Sequence, residues 1–180
     1  LQAFVAATKR INVGDGFDPD ITMGPLRTAG RIQEIKELLS DAINRGHRVF
    51  GGERVGDPLG NFINPAVIAD AGPATQASNT EPFGPIAVLH PFDTVEDAIA
   101  EANRLNVGLA SYVMTNNLAC ANRCIGDIQA GSVIVNNWRA TLPETPFGGY
   151  RESGFGAEGG IEGLSAFQSR KLVYLNANAV

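Results

Sequence analysis

Three stretches carry residue types that could do chemistry. The first is "SGFGAEGG", residues 153–160, with a G-x-G-x-x-G at Gly154, Gly156 and Gly159. That spacing suits a loop holding the pyrophosphate of a dinucleotide. It then needs a buried strand before it, a helix after it, and an acid about 20 residues on for the ribose. Here "PFGGYRE" comes first, which is polar and turn-forming, and the last acid of the chain is Glu162. In a chain with 21 glycines such a pattern arises readily, so it reads as a Gly-rich bend entering a short helix.

The second stretch is "NTEPFGPI", residues 79–86, between two apolar segments. Glu81 and Phe83 stand two apart on a proline-stiffened loop, and in extended chain such side chains point the same way. An acid beside a ring suits a polyol with a flat heterocycle, such as a ribose bearing nicotinamide. A solvated Glu in a turn, with Phe83 filling the core, fits the same residues. The third is "NNWRATLPETPFGGY", residues 136–150, where Trp138, Phe147 and Tyr150 accompany the cation Arg139. Aromatic walls with a single charge line small-molecule pockets, and an ordered surface loop with its aromatics on the core is the other reading.

Other chemistries find little support. Neither His47 nor His90 has a Cys, His, Asp or Glu at ligand spacing, so no metal site is expected. There is no G-x-S-x-G of the commonest serine hydrolases. Cys120 and Cys124 lie four apart on a predicted helix whose apolar face includes Leu118, Ala121, Ile125 and Ile128. They read as small core residues, and nothing close in sequence would lower a thiol pKa.

Composition bounds the partners. At 180 residues, 44% hydrophobic and 18% charged, the chain is globular and long enough to bury a core. Its 14 basic and 19 acidic side chains leave a net charge of -5, which neither nucleic acid nor an anionic membrane would attract. No apolar run approaches the roughly 20 residues of a membrane span, and no signal peptide is seen. Two cysteines make no disulfide framework, so a cytoplasmic location is expected.

The elements that must position these residues follow from periodicity. Residues 1–10 read as a helix tail that starts without Met, as though cut from something longer. From Thr28 to Arg45, Ile32, Ile35, Leu38, Leu39, Ala42 and Ile43 recur at helical spacing, and Gly46 supplies the stop. "HRVFGG", "NPAVIAD" and "PIAVLHPF" read as strands, and the Thr94–Asp97 capping box opens a helix. "LASYVMT" and "GSVIVNN" are strands around a helix over "NLACANRCIGDIQ". Alternation from 85 to 137 implies an α/β fold with an open, mostly parallel sheet covered by helices. The helix "IEGLSAFQ" and a last strand, "RKLVYLN", close the chain. Lys171 to Leu175 lack a later strand to pair with, so they must join a sheet made elsewhere, such as another subunit.

The blocks "DPDITMGPL" (18–26), "TEPFGPI" (80–86), "NVGLASYVMTNN" (106–117), "GSVIVNN" (131–137) and "PFGGYRESGFGAEGG" (146–160) stand in the order and spacing of the aldehyde dehydrogenase superfamily. The chain resembles the C-terminal portion of those enzymes, loosely the succinate-semialdehyde dehydrogenase-like members. Residues 1–152 would belong to the catalytic domain, and 153–180 would form the Gly-rich bend, short helix and oligomerisation strand.

The resemblance implies oxidation of an aldehyde to an acid, through a cysteine thiohemiacetal, with NAD or NADP. Glu81 matches the glutamate that holds the nicotinamide-side ribose, and Phe83 its companion aromatic. Phe147 matches the Phe of the aldehyde tunnel, and Trp138, Arg139 and Thr141 fall in the loop that reads the substrate. A homo-oligomer through Lys171–Leu175 is implied. The family's nucleophilic cysteine, in a Gly-Gln-x-Cys type motif, and its base, in Glu-Leu-Gly-Gly, are expected upstream of Leu1, so no catalytic residue is assigned here. The alternative is a natural non-catalytic assembly or binding module built on that fold.

Overall fold

The computed structural model describes residues 1–57, 60–139 and 141–177. Contacts divide the chain into two compact units, Leu1–Pro91 and Phe92–Val180. The division differs from a boundary after residue 152, because the Gly-rich bend pairs back onto the segment before it.

In the first unit, helices α1 (Gln2–Thr8) and α2 (Ala29–Asn44) accompany strands β1 (Arg48–Gly51), β2 (Ala66–Ala69) and β3 (Ile86–Val88). A 3-10 turn, Gln76–Ser78, lies between β2 and β3. The sheet order is β1-β2-β3, antiparallel for the first pair and parallel for the second. Helix α2 forms where the spacing predicted; Ile43, expected on the same face, is exposed, while Ile32, Ile35, Leu38, Leu39 and Ala42 are buried. These pack with Ile63, Ala66, Ile68, Ala71 and Ala77 into the core, which removes the largest apolar surface of this unit from water. The helix ends where Gly46 takes a φ of 85°, with Gly46 N–H on Ile43 O and His47 N–H on Ala42 O. That reciprocal pair satisfies the last carbonyls, and a side chain at Gly46 would be strained. All four residues of β2 are buried, consistent with a central strand.

In the second unit, α3 (Val95–Ala102) starts at the expected capping box, with Thr94 Oγ1 accepting Asp97 N–H and Asp97 accepting Thr94 N–H. Strands β4 (Val107–Gly108) and β5 (Ala110–Val113) follow, then α4 (Leu118–Asp127) and β6 (Ser132–Val135). β5 and β6 are parallel neighbours joined through α4. A short β7 (Tyr150–Arg151) pairs antiparallel with β4, and α5 (Gly160–Ser165) comes last.

The α/β class holds, while the sheet differs from one continuous parallel layer. The described strands form a three-stranded mixed sheet and two pairs, each within its own unit. β1 is antiparallel to β2 because the chain between them doubles back on itself, Asn64 N–H donating to the Glu53 carbonyl and Val55 N–H to the Phe62 carbonyl, with Gly51 lying against the Pro65 carbonyl. Residues 171–175 are not in a strand, and Leu172, Val173, Tyr174 and Leu175 are all exposed. A strand needs a partner ladder, and among the described residues no strand pairs with 171–175. Helix α4 departs from expectation in part. Ala121 and Cys124 are buried as the pattern predicted, and only Leu118 and Ile125, at the edge of the face and 75% and 52% exposed, are left to solvent.

Candidate functional site

Glu81 and Phe83 are brought together. Both line an open cleft of about 230 Å³, with Arg31, Glu34, Gln76 and Thr80 among the other walls. Phe83 does not fill the core, since it is 63% exposed. Its ring lies under the Arg31 guanidinium, 5.2 Å from centroid to Cζ, and Arg31 is in turn paired with Glu34. Arg31 was not singled out from the sequence. Its only signal was a cation in the first turn of an amphipathic helix, which describes most solvated helix faces.

The loop is placed by backbone geometry. Gly84 packs so closely on α2 that a Cβ there would stand 2.6 Å from Ile35 Cδ1. On the other side, Asn79 Nδ2 donates to the Pro73 and Thr75 carbonyls at 2.7 and 2.8 Å. Between these two anchors run Thr80, Glu81, Pro82 and Phe83. The arrangement offers an exposed carboxylate and an exposed apolar ring side by side. Hydroxyl donors and a flat ring are the complementary ligand groups.

The third stretch is arranged differently. Trp138 is 86% exposed, Arg139 and Thr141 are exposed, and Ala140 between them lies outside the described residues. Phe147 is half-buried, and its backbone exchanges two 2.8 Å hydrogen bonds with Glu158. Tyr150 has Arg151 over its ring, 5.6 Å from the centroid; neighbours on a regular strand would point to opposite faces, but Arg151 takes a φ of 56°.

The glycines of the opening motif find their cause here. Gly154, Gly156 and Gly159 have φ of 120°, 82° and 70°, which side chains rarely adopt. A Cβ on Gly159 would stand 2.6 Å from the Thr145 carbonyl. Gly148 is equally enclosed, its Cβ direction meeting the Gly156 carbonyl at 2.5 Å. The bend folds over the "PFGG" segment, and its glycines serve turns and close backbone approach rather than a phosphate. Ser153 Oγ accepts Gly108 N–H at 2.8 Å, and Asn106 Nδ2 donates to Glu152 Oε1 at 2.7 Å, which tie the bend to β4.

Cys124 is buried and Cys120 half-buried. Burial, then the hydrogen bond with Cys120, raises the Cys124 thiol pKa, the opposite of what a nucleophile needs. Among the described residues no three His, Cys, Asp or Glu side chains converge as metal ligands, and no helix is long and apolar enough to cross a membrane.

The model of the aldehyde dehydrogenase family matches residues 1–173. A "Probable succinate-semialdehyde dehydrogenase [NADP(+)]" of Sinorhizobium fredii is 35% identical over 94% of this chain and 35% of its own length. The 4-(hydroxymethyl)benzenesulfonate dehydrogenase TsaD1 of Comamonas testosteroni is 34% identical over 93% of this chain and 35% of its own. Among solved structures, betaine aldehyde dehydrogenase from Staphylococcus aureus in complex with NAD+ superposes with a TM-score of 0.86 at 32% identity. It covers 92% of this chain and 34% of that one. The chain thus spans about a third of the length of the relatives it matches.

Proposed function

This chain belongs to the aldehyde dehydrogenase family, and from that premise we propose that it contributes the ribose contact and one substrate wall to an NAD- or NADP-dependent aldehyde oxidation. The observation that supports this most is the shared cleft of Glu81 and Phe83. The exposed carboxylate suits the two hydroxyls of a ribose, and the ring beside it suits the attached nicotinamide. When bound, the nicotinamide supplies the hydride acceptor. Glu81 would orient the ribose by accepting its hydroxyl protons. Phe83, stiffened by Pro82 before it, would keep water from one side of the ring. Phe147 would line the aldehyde path, and the loop carrying Trp138, Arg139 and Thr141 would read the far end of the substrate. An exposed cation in that loop favours a distal carboxylate, as in a semialdehyde acid.

Neither Gly-Gln-x-Cys nor Glu-Leu-Gly-Gly occurs in these 180 residues. The thiolate and the water-activating base would therefore be supplied by other parts of the full-length dehydrogenase. The exposed row Leu172 to Leu175 would pair with a second subunit, giving a homo-oligomer.

The test uses the full-length polypeptide carrying this segment, with aldehyde turnover followed by the absorbance of the reduced cofactor. Glu81→Gln should raise the KM for the dinucleotide about tenfold, the loss of one charge-assisted hydrogen bond, with the aldehyde KM unchanged. An unchanged dinucleotide KM would overturn the reading. Turnover by the 180-residue chain alone, abolished in Cys120→Ala or Cys124→Ala, would show that the nucleophile lies here after all.

A further inference from the structure

The loop bearing Glu81 and Phe83 hangs from the 3-10 turn Gln76–Ser78, and that turn is held from a distance. Its N-cap residue, Thr75, makes no side-chain capping bond. Asp41, in the last turn of α2 and 35 residues away, supplies one instead. Its Oδ2 accepts the Gln76 N–H at 2.8 Å, while its Oδ1 accepts Arg45 Nε at 2.8 Å. Beside it, His47 Nε2 and Thr75 Oγ1 lie 3.0 Å apart, and Thr75 is fully buried. The Gln76 carbonyl then accepts both Asn79 N–H and Thr80 N–H at 2.9 Å, and Glu81 follows at once. At the far end of the loop, Gly84 rests on Ile35 of the same helix. Both anchors of the loop are thus fixed to α2, one by packing and one by a carboxylate.

We propose that Asp41 is the positioning residue for the cofactor loop, setting where Glu81 and Phe83 meet the nicotinamide–ribose end of the dinucleotide, a role that rests on the cofactor reading above. Asp41 is not a wall of the cleft; it acts through the Gln76 N–H. The bond is charge-assisted, since that N–H and Arg45 together hold the Asp41 carboxyl below the usual carboxylate range. Losing it frees the turn to shift, and five residues on Glu81 shifts with it. Sub-ångström placement matters at such a contact.

The experiment compares wild type, Glu81→Gln, Asp41→Ala, Asp41→Asn and the double variant Asp41→Ala/Glu81→Gln in the full-length dehydrogenase. The dinucleotide dissociation constant is measured by cofactor fluorescence, together with both KM values and the melting temperature. Asp41→Ala should weaken dinucleotide binding about five- to tenfold with the aldehyde KM unchanged. Asp41→Asn keeps an acceptor oxygen and should restore most of the affinity. The double variant should bind within about twofold of Glu81→Gln alone, because the two act on one contact. Gln76→Pro removes the same bond from the donor side, and Thr75 already has the extended φ −69, ψ 136 that a proline tolerates before it. It should reproduce the loss, and it carries the test if Asp41→Ala fails to fold. Should Asp41→Ala and Gln76→Pro lower only the melting temperature while Glu81→Gln weakens binding, the positioning role is refuted and the cofactor reading stands. If Glu81→Gln itself leaves affinity intact, the cofactor reading falls and this role with it.

Discussion

Gly131 offers a test of how closely the backbone is packed around Phe147. It precedes β6, and a Cβ built on it would stand 1.7 Å from the Gly148 carbonyl oxygen. Real side chains do not come nearer than 3.0 Å, so Gly131→Ala must drive that carbonyl back by 1.3 Å, from 1.7 to 3.0. Gly148 has little room to retreat, because its own Cβ direction meets the Gly156 carbonyl at 2.5 Å. The shift would also strain the paired 2.8 Å bonds between Phe147 and Glu158. Overpacking of this kind costs about 1–3 kcal/mol, which for a chain of this size lowers the melting temperature by about 3–10 °C. The control is Gly126→Ala, inside α4 with no atom within 4 Å of the new methyl. There alanine should stabilise by about 0.5–1 kcal/mol, since it restricts the unfolded chain and suits a helix. Both variants and wild type would be melted under one set of conditions by circular dichroism. If Gly131→Ala melts with or above wild type, the close approach of Gly131 to Gly148 is not a feature of the folded chain, and the account of the glycine bend fails with it.

Three further outcomes are expected. Asp41 has a pKa lowered from 3.8, chiefly by the Gln76 N–H and then by Arg45, so its contribution to stability is present above pH 3.8 and is lost as pH falls through the lower folded value. Asp41→Asn should therefore show a flatter acid limb in urea unfolding, and a limb as steep as wild type would count against the contact. Cys124, with its thiol pKa raised by burial, should be alkylated more slowly by iodoacetamide than the half-buried Cys120, as read by peptide mass mapping. Equal labelling of both in the native protein would contradict the burial. Removing residues 169–180, of which 178–180 lie outside the described residues, should lower the assembly state or the solubility, and identical sedimentation of the truncated and full chains would refute a subunit-pairing role for Lys171–Leu175.

Much of the secondary structure was legible from one strand of text, because its causes are local. The 3.6-residue spacing of Ile32, Ile35, Leu39 and Ala42 specifies a helix with one buried face, and the Thr94–Asp97 box acts over three residues. Apolar runs such as "AVIA" mark a buried strand whatever lies beside them. Glu81 and Phe83 were legible as a pair for the same reason, standing two residues apart on a stiff segment. What pairs across long separations was not. Only packing decided that Arg31 would cover the Phe83 ring and that Asp41 would reach Gln76. The pattern of α4 shows the limit from the other side: several apolar residues share one broad face, and it took the neighbouring α3 and β6 to choose Ala121 and Cys124 for burial over Leu118 and Ile125. The Gly-rich bend is the sharpest case. Its spacing fits a phosphate loop, but a glycine's use depends on what approaches it, and here carbonyls of this chain's own backbone fill the space beside Gly148 and Gly159, where a side chain would otherwise stand.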